Sequence, residues 1–253
     1  MGQVVKIRAE YAGKLRLDAL RREAEDFHHM LKTQLERETG RPVPNLVPPL
    51  PIEKIALPLG VQIVVVEDLS RIDSPEAELE MQVCGALDRT SRTIFIERRL
   101  PPDQQRYTIG HEYAHLFLHS DLVHHRQRAT KKQNSPALGR RAIPDVPEQE
   151  LEAQRFSAEL LMPVDTTEKE MLARFGARLD TTLPRDFLAY HLSIATRQKL
   201  SATQLSRMPQ IHRAMLIARA ESFEGRIFES LNERFGVSVE AMAKRLLELE
   251  LVS

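Results

Sequence analysis

The amino-acid sequence predicts an α+β fold, mostly helical, with one small β-sheet beside a helix that carries the pattern H-E-x-x-H. Three observations lead there. Apolar residues recur at three-to-four spacing over long stretches near both ends of the chain. Short β-branched segments cluster between residues 61 and 97, bounded by Gly, Pro and polar turns. Two further helical patterns, at 106–119 and 148–162, follow that cluster. A length of 253 residues suits one large domain or two small ones. The pattern divides the chain into an N-terminal helix with a Pro-rich connector (1–50), a core (51–165) and a helical C-terminal region (166–253).

Each element has its own warrant. Leu15, Leu17, Leu20, Ala24, Phe27, Leu31 and Leu35 give helical periodicity over 8–38, with Gly40 as the stop. Residues 41–51 hold five prolines and predict a stiff, extended connector. PIEKIALPLG (51–60) reads as a short helix closed at Gly60, and VQIVVVE (61–67) as a strand. CGALD (84–88) and TIFIE (93–97) predict a hairpin around the turn composition of DRTSR. Pro101 and Pro102 end the strand region, and helical period takes over from Asp103. Residues 122–144 lack periodicity and hold Arg126, Arg128, Lys131, Lys132, Arg140 and Arg141 with no acid, which predicts a long, basic, mobile loop. A second helix, EQELEAQRFSAELL, runs to the stop at Pro163. The remainder, 165–253, reads as wholly helical, with breaks at Pro184, Pro209 and Gly236.

Composition excludes several classes. Lys plus Arg and Asp plus Glu are both 36, so no cationic excess is available to a phosphate backbone. The single cysteine, Cys84, excludes an internal disulfide framework and any multi-Cys metal site, and fits a reducing, cytoplasmic setting. The first twenty residues carry charges throughout and no apolar core, which predicts no secretory signal. No apolar run approaches the ~18 residues of a membrane span.

The sharpest feature is His111-Glu112-Tyr113-Ala114-His115. On a helix, residues four apart stack on one face about 5–6 Å apart. Two imidazoles so placed can converge on one ion, while Glu112, rotated to the side, sits where a carboxylate can take a proton from water. With 9 His and 36 acids, the pattern arises by chance about 0.04 times in such a chain, so coincidence is a poor explanation. Ile109, Leu116 and Leu118 predict that the helix is packed into a core, where histidines need partners. His119 lies eight residues from His111, a rise of about 12 Å, too far for both to share an ion. It is expected to cap the helix or orient a ligand. His124 and His125 fall in the basic loop and suit substrate contact or solvent.

Two histidines leave room for a third protein ligand and an open position. Glu148, Glu150, Glu152 and Glu159 on the following helix all qualify by type. Glu152 and Glu159 share a face, whereas Glu150 and Glu152 point about 200° apart and cannot both face one ion. Spacing does not choose among the four.

The motifs R-Y-T-I-G-H-E-Y-A-H-L-F-L-H (106–119) and E-L-E-A-Q-R-F-S-A-E-L-L-M-P (150–163) together resemble the ImmA/IrrE family of zinc-dependent peptidases. PIEKIALPLGVQIVV (51–65) is similar to that family's N-terminal helix and strand, and LNERFGVSVEAMAKRLLELELV (231–252) to its C-terminal segment. Ala114 stands where the family often has Gly, and Gln154 where it often has Asn. The resemblance implies a zincin-like fold, with Zn²⁺ held by His111, His115 and Glu150, and Glu112 as the catalytic base. Two His and one carboxylate also accommodate Mn²⁺ or Fe²⁺. Tyr107, Tyr113 and Tyr190 are unranked candidates for a donor to the oxyanion. The resemblance further implies an intracellular endopeptidase whose substrate is a protein partner, such as a helix-turn-helix repressor in a stress-response or mobile-element system.

The last residues support a different class of function. ESLNERFGVSVEAMAKRLLEL (229–249) has the helix, turn and helix of a helix-turn-helix, with Ser238 as an N-cap. A non-catalytic or toxin–antitoxin regulator binding DNA or a partner through these helices is the alternative. Glu240, Glu248 and Glu250 offset Lys244 and Arg245 and would repel phosphate, so packing or protein docking is favoured over DNA. His212 reads as an ordinary histidine.

Overall fold

A computed structural model describes residues 2–69, 83–119, 124–128, 148–176, 185–197 and 199–252. It resolves into two units, Met1–Leu46 with Pro51–Leu160, and Val47–Leu50 with Leu161–Ser253.

The first unit begins with α1 (Gly2–Thr39). Leu20, Ala24, Phe27 and Leu31 recur along one face of it, and all four are buried. A 3-10 turn (Ile52–Ile55) and α2 (Ala56–Leu59) follow the connector and end at Gly60. The sheet contains β1 (Gln62–Val66), β2 (Val83–Asp88), β3 (Thr93–Glu97) and β4 (His124–Arg128), in the order β1-β3-β2-β4. β1 runs parallel to β3, with Val64 opposite Phe95, and the other pairings are antiparallel. The predicted β2–β3 hairpin is present. Asp88 closes its turn, its carboxylate accepting from the Thr90 amide (2.9 Å) and the Ser91 hydroxyl (2.8 Å). Ile94 and Ile96 of β3 are buried, whereas β1, on the sheet edge, leaves Val64 and Val65 partly exposed.

α3 (Pro102–Leu118) lies on this sheet and α4 (Glu148–Leu161) packs beside it. Pro102 at the first helical position suits α3, because proline's missing N–H would have no helical partner there. Ala153, Phe156, Ser157 and Leu160 are the buried stripe of α4.

One expectation in this unit fails. Residues 124–128 were expected within a loop, yet they form β4, pairing His124 with Asp88 and Arg126 with Ala86. HHRQR has no apolar alternation to announce a strand. The partner supplies the order, since β2 would otherwise present unpaired backbone groups along that edge. The remainder of the basic segment, with Lys131, Lys132, Arg140 and Arg141, lies outside the described residues.

The second unit holds α5 (Val164–Phe175), α6 (Arg185–Thr196), α7 (Ala202–Arg207) and α8 (Gln210–Ala218). It closes with β5 (Ser222–Phe223), β6 (Arg226–Ile227), α9 (Leu231–Phe235) and α10 (Val239–Glu248). The C-terminal region is therefore not wholly helical. α8 ends at Ala218, and Ser222–Ile227 form a hairpin whose two turn residues, Glu224 (φ 48°) and Gly225 (φ 76°), are both left-handed. That is the backbone a two-residue hairpin of primed type needs. The turn is written Glu-Gly rather than the more telling Asn-Gly or Asp-Gly, and apolar residues on either side mimic a helical period.

α10 packs on α8, burying Met242, Ala243 and Leu246. Ser238 caps it, accepting from the Ala241 amide at 3.1 Å. Arg245 is also inside, its guanidinium donating to the Met162 carbonyl (3.0 Å) and to Glu248 (3.1 Å). Lys244 pairs with Glu240 at 3.0 Å. Arg174 is buried likewise, donating to the Glu229 carbonyl at 2.8 Å and to the Glu170 carboxylate. Burial opposes the charge on Glu170, but hydrogen bonds from Arg174 and Arg234 outweigh it and hold that carboxyl below its usual range. His212 is an exposed residue of α8.

Candidate metal centre

The site is built where α3 meets α4. Every residue of α3 from Thr108 to His115 is buried, so this stretch is enclosed on all sides rather than amphipathic. Close approach depends on small residues. A Cβ on Gly110 would sit 2.7 Å from the Ser157 hydroxyl, and that hydroxyl donates to the Tyr107 carbonyl at 2.9 Å. A Cβ on Gly85 of β2 would meet the Thr108 methyl at 2.3 Å and a Glu112 oxygen at 3.3 Å. Glycine at both positions lets α3 lie against β2 on one side and α4 on the other.

This packing brings His111, His115 and Glu150 together, each offering one donor atom, all within 4.8 Å of one another. The two Nε2 atoms are 3.0 Å apart. Glu150 lies 3.3 Å from His111 Nε2 and 3.4 Å from His115 Nε2. Two donors each about 2.0–2.1 Å from one ion at a tetrahedral angle are separated by about 3.3–3.4 Å. The two imidazole–carboxylate spacings are of that size, one to each oxygen of Glu150, and the two Nε2 atoms stand closer together at 3.0 Å. The chemistry of the group fits as well: imidazole lone pairs and carboxylate oxygens crowded in a buried place repel unless a cation lies among them. Glu112, fully buried, neighbours the pair on the same helix.

The four glutamates that spacing could not separate are separated by their partners. Glu148 is exposed and paired with Arg16, and Glu159 is held by Arg21 at 3.1 Å. Glu152 meets His119 at 3.0 Å, and Glu150 reaches both imidazoles. His119 is the C-cap residue of α3 and stands 3.0 Å from His115, away from the ion-sized space. His124 and His125 belong to β4.

Two of the three tyrosines are engaged elsewhere. The Tyr113 hydroxyl donates to the Ile52 carbonyl at 3.3 Å, in a core with Phe27, where burial pushes its pKa far up. The Tyr107 hydroxyl donates to the Gln154 carbonyl at 3.3 Å. Tyr190 is an exposed residue of the second unit. Sequence reasoning missed Arg89. From the β2–β3 turn its guanidinium donates to the Leu116 carbonyl (3.4 Å) and the His119 carbonyl, which fixes the end of α3. A cation suits the carbonyl-rich end of a helix, but only the folded turn brings it there.

A buried helix bearing H-E-x-x-H, set on a small mixed sheet and facing an acid from the next helix, defines the metallopeptidase-like class of α+β domain. Residues 79–189 match the family described as IrrE N-terminal-like domain, Peptidase_M78, which is the domain of the ImmA/IrrE family. The match contains β2, β3, α3, β4, α4 and α5, hence the whole His111–His115–Glu150 group. No curated protein matches the chain. Among the described residues no helix is long and apolar enough to cross a membrane.

Proposed function

We propose that this protein is a metal-dependent endopeptidase that hydrolyses a peptide bond in a protein partner. The convergence of His111, His115 and Glu150 beside the buried Glu112 carries this reading. A divalent ion, zinc by the family resemblance, would supply Lewis acidity for the scissile carbonyl and acidify a water molecule. His111, His115 and Glu150 would hold it. Glu112 accepts the proton of the attacking water and delivers it to the leaving amine, which makes it base and then acid in one turnover. The packing of α3 between β2 and α4 keeps that carboxylate fixed and away from bulk solvent.

The partner we propose is a helix-turn-helix repressor of a stress-response or mobile-element system, met in the cytoplasm. The family resemblance supports this choice. DNA binding through α9 and α10 has less support, since Arg245 points into the protein core and Lys244 is paired with Glu240.

The test is incubation with the product of the adjacent gene, with and without 1,10-phenanthroline, using wild-type and Glu112→Gln protein. Fragments are expected from wild type alone, with chelator abolishing them. Glu112→Gln removes the proton acceptor, a loss of roughly 10²–10⁴-fold in rate. Cleavage by Glu112→Gln at the wild-type rate would contradict the role of that residue.

A further inference from the structure

We propose that His119 and Glu152 form a proton-ordering relay that fixes the metal-binding tautomer of His115. The proposal rests on the metal reading above and adds two positioning residues to it. The geometry is a chain of three contacts. His115 Nδ1 lies 3.0 Å from His119 Nδ1, His119 Nε2 lies 3.0 Å from the Glu152 carboxylate, and the other Glu152 oxygen pairs with Arg16.

Only one arrangement of protons satisfies the chain with both rings neutral. A carboxylate can only accept, so His119 must carry its proton on Nε2 and donate it to Glu152. His119 Nδ1 is then a bare lone pair, and the atom facing it, His115 Nδ1, must donate. With its proton on Nδ1, His115 presents a lone pair at Nε2. That is the atom 3.0 Å from His111 Nε2 and 3.4 Å from Glu150. The acid thus dictates, through an intervening ring, which nitrogen of His115 is open to a cation. Direct contact between an acid and a ligating histidine is the commoner way to do this. Here the acid comes from α4 and the relaying ring closes α3.

The relay is also held rigidly. His119 and Glu152 are both largely buried, with side chains 4% and 12% exposed. The His119 carbonyl is gripped by Arg89, so both its backbone and its ring are fixed. Arg16 pairs with the other Glu152 oxygen and so holds the carboxylate turned toward the ring. The placement explains why Glu150 and Glu152 occur together: one reaches the ion-sized space, the other the histidine behind it.

The test is zinc affinity, measured by competition with a chromophoric chelator, with far-UV circular dichroism as the check on folding. His119→Ala and Glu152→Ala should each bind zinc about 10–100-fold more weakly than wild type, as is usual when the group orienting a ligating histidine is lost. The double variant should be little worse than either single one, because the two act in series. His119→Asn places an amide oxygen near the position of Nδ1 and should recover part of the loss, which a purely structural role would not explain. If His119→Ala fails to fold, the His119→Asn and Glu152→Ala comparison decides the matter. Wild-type affinity in folded His119→Ala or Glu152→Ala overturns the relay alone. A wild-type chain that binds no zinc overturns the metal reading and the relay with it.

Discussion

His28 shows how a single side chain couples this fold to pH. On α1, it donates from Nε2 to the Leu160 carbonyl on α4 at 2.7 Å. Burial is the largest influence on it and lowers its pKa below the ordinary 6.5, although the Leu160 carbonyl and the acids Glu159 and Glu25 pull the other way. The unfolded chain therefore takes up the proton first as pH falls. The stabilisation present above 6.5 is lost as pH drops below that value toward the folded pKa. Urea midpoints of wild type and His28→Gln, measured in chelator at pH values on either side of that window, check it. Wild type should lose more stability on acidification than the variant, and equal losses would remove His28 from the account. At the same scale, what was legible in advance was chemical type. H-E-x-x-H spacing puts two imidazoles on one face, and helix rise alone predicts that His119 shares no ion with His111. The choice of Glu150 over Glu148, Glu152 and Glu159 was not legible from spacing, because it depends on where Arg16, Arg21 and His119 stand in three dimensions.

Among the elements, α3 and its supports are the part that must be built to tolerance. Gly85→Ala drives a Cβ into the Thr108 methyl and toward Glu112. Such overpacking costs about 1–3 kcal/mol. Adding Thr108→Ser, which deletes that methyl, should recover much of the loss, and thermal denaturation of the single and double variants measures this coupling. Additive losses would mean that the close approach is not what makes glycine necessary. Regular elements with strong local signals were readable: α1, the β2–β3 hairpin, α3, α4 and the Ser238-capped α10. β4 was not, since HHRQR is a strand only because β2 offers it an edge. Nor was the β5–β6 hairpin, whose Glu-Gly turn lacks the usual signature and whose flanks read as helix. In both cases a non-local partner overrode a weak local pattern.

At the scale of the whole molecule, the first unit gathers His111, His115 and Glu150 into one candidate metal centre. Two helices, a sheet and the Arg89-bearing turn converge on the end of α3. The claim that organises the rest is that His111, His115 and Glu150 hold a divalent ion while Glu112 does not. Metal content by mass spectrometry, after removal of loosely bound ions, tests this most directly. Wild type and Glu112→Gln should each retain about one equivalent, and His115→Ala and Glu150→Ala should retain almost none, as expected of a site with three protein ligands. A folded Glu150→Ala protein that kept its full equivalent would contradict the account.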